Sequence, residues 1–128
     1  MILDSSAVIA IVCREPGWDE LLRKIADSTV VAIGTPTVAE ALLVASVKIG
    51  PGGPERIDKF LAGIEAQIVP FARQHLLYFH DAFRRYGKGK HPAALNMGDC
   101  FSYAVARMAR QPLLFVGNDF SQTDVERA

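Results

Sequence analysis

Cysteine is almost missing from this sequence: Cys13 and Cys100 stand far apart, with no CxxC spacing and no Cys/His cluster around either. That excludes a disulfide framework and a thiolate zinc site, and leaves two buried, reduced thiols as the expectation. An excess of one charge is missing too. The 14 basic and 14 acidic side chains cancel, so no global positive field argues for nucleic acid, and any such surface must be local. No basic segment followed by a long apolar run opens the chain, and no apolar stretch approaches the roughly 18–20 residues that span a bilayer. A cytoplasmic protein without a membrane partner is expected. Repeats and low-complexity segments are also lacking. What is present is the composition of a folding domain, 50% hydrophobic and 22% charged, in 128 residues. That length suits a single domain over 1–128 with one ordinary core.

The apolar runs are short and alternate in kind. Met1-Ile2-Leu3 reads as a strand, and Ala7 to Val12 as a helix capped by Asp4 or one of the serines that follow it. Trp18, Leu21, Leu22 and Ile25 fall at i, i+3, i+4 and i+7, the mark of an amphipathic helix. Thr29 to Ile33 is a β-branched strand, and Thr35-Pro36 supplies a cap and first-turn proline for a helix to about Lys48. After Pro51-Gly52-Gly53, Ile57, Phe60, Leu61 and Ile64 mark another helix, and Gln67 to Phe71 a third strand. A helix from about Arg73 to Tyr86 carries Leu76, Leu77, Phe79 and Phe83. Asn96 caps the last one, to about Arg110, before the apolar strand Pro112 to Val116. Strands alternating with helices, with no two-residue hairpins, predict an α/β fold: a three-layer α/β/α sandwich on a mainly parallel sheet.

In such sheets ligands sit at the carboxyl ends of the strands. Asp4 follows the first strand and Asp119 the last. Asp99 lies three residues after Asn96, where it either completes a capping box or faces a ligand at the start of its helix. Glu40 stands in line with Leu43, Val44 and Val47, so it is expected to face inward, and an inward carboxylate needs a partner or a metal. Any one of these acids has an ordinary explanation as a cap, an edge residue or a loop residue. Together they can converge on one sheet edge. Four carboxylates with no adjacent lysine or arginine repel one another unless divalent cations lie between them. Oxygen ligands select magnesium or manganese, which can activate water and clamp a phosphate without a histidine base. His75, His80 and His91 are then ordinary.

Four segments carry a resemblance. Ile2-Leu3-Asp4-Ser5-Ser6-Ala7, Thr37-Val38-Ala39-Glu40-Ala41, Leu95 to Ala104 around Gly98-Asp99, and Leu114 to Phe120 around Asn118-Asp119 together resemble PIN-domain ribonucleases of the VapC toxin type. The resemblance implies a PIN-like fold and metal-dependent endoribonuclease activity, a hydrolase reaction on RNA phosphodiester bonds. Asp4 and Asp99 are then the leading metal ligands, Glu40 and Asp119 complete the catalytic acids, and Ser6 supports Asp4. Many PIN domains show Thr-x-Asp after the final strand. This chain has Val116-Gly117-Asn118-Asp119, so Asn118 or Asp119 fills that place, and Asp119 is the choice taken. A cognate antitoxin and a homodimer are implied as partners.

Arg84, Arg85, Lys88 and Lys90, with His91, form the densest basic stretch: either a contact for the RNA backbone, with Tyr86 stacking on a base, or a solvated helix end. Trp18 either anchors an antitoxin or dimer contact, or belongs to the core. Two other functions compete. A receiver-like phosphoacceptor domain wants an aspartate ending the third strand, where Val69-Pro70-Phe71 has none. A catalytically silent partner-binding module would hold no magnesium.

Overall fold

The computed structural model describes residues 1–128. Its strands are short, and three of the four divide their residues between two cores. β1 (Ile2–Leu3), β2 (Ala32–Gly34), β3 (Gln67–Val69) and β4 (Leu113–Leu114) form one parallel sheet in the order β3-β2-β1-β4. Successive strand residues point to opposite faces. Ile2, Ala32 and Leu113 therefore enter one core, which α5 (His75–Tyr86) and α6 (Met97–Ala109) close with Ala82, Tyr86 and Tyr103. Leu3, Ile33 and Leu114 enter the other. It is closed by α1 (Ser5–Val12), α2 (Trp18–Ala26), α3 (Thr35–Lys48) and α4 (Gly53–Gly63). Helices on both faces of a parallel sheet make the expected α/β/α sandwich.

Several local readings are corrected. α1 begins at Ser5 rather than Ala7, because Asp4 is its cap and both serines lie inside the helix. Thr35 is the first residue of α3 rather than its cap; the cap is Gly34, and the Thr35 hydroxyl accepts the Phe71 N–H at 3.2 Å. β3 and β4 are shorter than the apolar runs that mark them. Of the stripe Leu43, Val44 and Val47 only Val44 packs against the core; Leu43 is 67% and Val47 81% exposed. The buried face of α3 is instead Thr37, Ala41 and Ala45, small side chains that admit close neighbours. α4 starts so close that a Cβ on Gly53 would lie 2.2 Å from the Ala45 carbonyl oxygen. On α5, likewise, Leu76, Leu77 and Phe83 are exposed while His75, Ala82 and Tyr86 are buried. Both thiols are free, Cys100 buried and Cys13 half-buried. No helix is long and apolar enough to cross a membrane.

The strand order sets the place of a site. From β1 the chain turns to β2 and β3 on one side, then returns to place β4 on the other. The topological switch point lies between β1 and β4, and in such sheets ligands bind outside the carboxyl ends of the strands at that point.

Candidate active site

Asp4 leaves β1 at that switch point and is 3% exposed. Its extended backbone caps α1, and its Oδ2 accepts the Ser6 N–H at 3.0 Å and the Ser6 hydroxyl. The Ser6 Oγ in turn accepts the Val116 N–H at 3.0 Å, tying the end of β4 to the start of α1. Oδ1 accepts the Ser102 hydroxyl of α6 at 2.6 Å. With its proton given to Asp4, the Ser102 oxygen receives that of Thr37, 3.2 Å away. A buried carboxylate is tolerated when donors surround it. A carboxylate has about four lone-pair positions, and these three donors leave one on Oδ1 open to a cation.

Glu40 reaches the same place from α3, though not through an apolar stripe. Its carboxylate lies flat against α6 at Gly98, where an added Cβ would stand 2.5 Å from Oε2. Burial raises its pKa, the charge of Asp4 adds to that, and the Ser5 hydroxyl opposes both. Asp99 occupies the third position of α6. Asn96 Oδ1 accepts the Asp99 N–H and Asp99 Oδ2 accepts the Asn96 N–H, each at 2.9 Å, a complete capping box. Burial nevertheless pushes the Asp99 carboxyl up to about 7, against the pull of that bond, with Asp4, Asp119 and Glu40 adding their repulsion. Asp119 sits exposed in the loop after β4, close enough for Asp99 to feel its charge. Asn118, beside it, is exposed as well.

The structure thus brings Asp4, Glu40, Asp99 and Asp119 together, and none of the ion pairs of the fold involves any of them. An all-oxygen donor set without a neighbouring cation suits a hard divalent ion. No three of the acids form a ready-made cage around one point.

The basic stretch is divided by the fold. Arg84 pairs with Asp81 at 2.7 Å. Arg85 bonds Asp81, Asp124 and the Tyr86 hydroxyl, so it is spent inside the molecule rather than offered to RNA. Tyr86 is 9% exposed beneath the Arg85 guanidinium and is not free to stack on a base. Lys88 and Lys90 remain exposed. His75 and His91 each accept a nearby backbone N–H and shape their loops. Ser102, Thr37 and Asp124 escaped the sequence reading. Thr37 and Ser102 stand inside two of the segments that carry the resemblance, without a role of their own there, and Asp124 lies outside all four.

A second feature lies away from the acids. Trp18, half-buried with Arg14 over its ring, lines a groove of about 810 Å³ with Ile11, Ile49, Arg56 and Phe60.

A cluster of acids at the switch point of a small parallel sheet defines a class, and the sequence bears it out: residues 1–126 match the family described as PIN domain, and the chain belongs to that family. Within it the chain is similar to the VapC ribonucleases. It is 42% identical over 127 residues to Ribonuclease VapC36 of Mycobacterium tuberculosis, covering 98% of this chain and 91% of that one. Among solved structures it resembles the sarcin-ricin loop cleaving toxin VapC20 of Mycobacterium tuberculosis, with a TM-score of 0.81 at 12% identity, covering 99% and 97% of the two chains. It also resembles VapBC2 from Rickettsia felis bound to a DNA fragment from their promoter, with a TM-score of 0.76 at 17% identity and coverage of 98% and 94%.

Proposed function

We propose that residues 1–128 act as one PIN domain: the endoribonuclease toxin of a toxin-antitoxin pair, a cytoplasmic hydrolase of RNA phosphodiester bonds. The observation that carries this reading is the convergence of Asp4, Glu40 and Asp99 from β1, α3 and α6, with Asp119 near, at the carboxyl ends of the strands; burial and the other three acids raise the Asp99 carboxyl accordingly. A fold keeps such a cluster when a cation belongs to it. The family is generally divalent-metal dependent, and magnesium or manganese is the ion proposed here. Asp4 and Asp99 would hold it, with Glu40 and Asp119 completing the site. Bound there, a divalent ion supplies an activated water and neutralises charge on the phosphate. Ser6 and Ser102 fix the Asp4 carboxylate, and Gly98 leaves room for Glu40. Lys88 and Lys90, exposed on the loop before α6, are the cations proposed to hold the RNA backbone.

The partner reading rests on surface. The groove at Trp18 joins an apolar floor to Arg14 and Arg56, which suits an amphipathic antitoxin segment bearing acidic residues. Exposed Leu43 and Val47 on α3, and Leu76 and Leu77 on α5, offer apolar area for a homodimer.

The test is cleavage of RNA by the purified chain with magnesium, manganese or chelator. Asp4→Asn is expected to keep the α1 cap and lose activity by on the order of a thousandfold, several kcal/mol of transition-state stabilisation. Full activity in chelator, or in Asp4→Asn, would sink the proposal.

A further inference from the structure

Asp119 is the most exposed of the four acids and the only one that neither caps nor belongs to a helix. Its helical and strand-end counterparts are held by caps and core packing, whereas the loop after β4 must be held by other means. Two anchors flank it. At its start, the Val116 N–H is bound to Ser6. At its far end, Phe120 is 3% exposed with its ring 5.0 Å from that of Phe115. The turn then closes on itself: the Thr123 hydroxyl and N–H both donate to the Phe120 carbonyl, and the Ser121 N–H donates to that of Asn118.

That turn ends at Asp124, which is bound to both helices of the neighbouring layer. Its Oδ1 accepts the Tyr103 hydroxyl of α6 at 2.8 Å, and its Oδ2 accepts Arg85 of α5 at 3.1 Å, with Arg107 of α6 at 3.7 Å. Partial burial disfavours the charged form, but Tyr103, Arg85 and Arg107 outweigh it and keep the Asp124 carboxyl below its ordinary range. Arg85 also holds Asp81 and the Tyr86 hydroxyl. The hub therefore fixes the loop to the helix that carries Asp99.

We infer that Asp124 is a positioning residue for Asp119, clasping the loop after β4 onto α5 and α6 so that its acid stays in register with Asp99. The inference rests on the acid-site reading above. Supporting residues around a metal site typically change metal affinity or activity by roughly ten- to a hundredfold when removed, and a loop acid depends on such support more than one on a helix.

The experiment compares Asp124→Asn, the gentler Tyr103→Phe, and Asp119→Asn in the full chain. The probes are binding of manganese alone, amide exchange, and RNA cleavage. Asp124→Asn is expected to weaken manganese binding by roughly tenfold or more. It should lower kcat with little change in KM, and speed exchange in residues 117–123 while β1 and α1 stay protected. Tyr103→Phe should move each readout the same way by less, and it decides the matter if Asp124→Asn does not fold. If Asp119→Asn loses manganese affinity while Asp124→Asn and Tyr103→Phe bind it as wild type does, Asp124 only anchors the chain's end and the inference is overturned. If Asp119→Asn itself binds manganese and cleaves RNA normally, Asp119 is not part of the site. The reading beneath the inference then fails, and the inference with it.

Discussion

Gly98 is the residue on which the geometry of the acids turns. A side chain there would meet both oxygens of Glu40 at under 3 Å. Those oxygens end a flexible side chain, so the carboxylate would move and the backbone would not. Glycine inside a helix costs up to about 1 kcal/mol relative to alanine, so local stability opposes glycine at this position. Gly98→Ala is accordingly expected to melt at or slightly above the wild-type temperature, yet to cleave RNA at least ~10-fold more slowly, since small misplacements of catalytic groups carry penalties of that size or larger. Thermal melts beside initial rates check both halves. Wild-type cleavage in Gly98→Ala would show that the position of Glu40 is immaterial. Residues differ in how far sequence reveals them. Asp4, Asp99 and Asp119 were legible because strand ends and helix caps are local. Ser102 and Asp124 were not, because their partners Asp4 and Arg85 lie 98 and 39 residues away along the chain.

Among the elements, α6 carries a conflict within its first turn. Its capping box uses the Asp99 carboxylate as an acceptor, while burial and three acids oppose its charge. Sequence alone offered these as alternatives, and the structure contains both. Asparagine separates them, for it keeps an acceptor and drops the charge, whereas alanine drops both. The folded pKa near 7 stands above an unfolded value of about 3.9, so the folded state binds the proton more tightly. The stability this contributes is complete below about pH 4 and is lost as the pH rises through 7. In chelator, Asp99→Asn should thus gain on wild type between pH 5 and 8. Asp99→Ala, lacking the cap, should stand below Asp99→Asn at both by about 1 kcal/mol. Melts at the two pH values test this, and an asparagine advantage that does not grow with pH would remove the repulsion. The elements show the same limit of legibility. The kinds and order of helices and strands followed from periodicity. The inward faces of α3 and α5 did not, because close packing there selects Ala41, Ala45 and Ala82 over Leu43, Val47 and Leu77, and a count of apolar residues favours the larger ones.

The whole molecule is neutral in sum but not in distribution. Acids gather at the switch point, while Arg14 and Arg56 flank the groove between α1, α2 and α4, with Lys48 and Lys59 held nearby by Glu15 and Glu55. A partner that both inactivates the enzyme and recognises it alone gains from this separation, because the groove can be gripped without competing for the metal. Trp18 is the anchor expected of such a grip. It is large, half-buried and stacked under Arg14, and tryptophan and arginine dominate binding energy at interfaces. Trp18→Ala should weaken antitoxin binding by about 2 kcal/mol or more, roughly thirtyfold, while the toxin alone cleaves RNA as before. Arg56→Glu should act mainly on the association rate, with an effect that shrinks as salt rises. Titration calorimetry with a cognate antitoxin, and cleavage assays without it, separate the two effects. In cells the corresponding outcome is growth arrest by Trp18→Ala at antitoxin levels that restrain the wild type. Unchanged affinity in both variants would move the antitoxin off this groove and onto the apolar faces of α3 or α5, where Leu43 or Leu77 would then carry the same test.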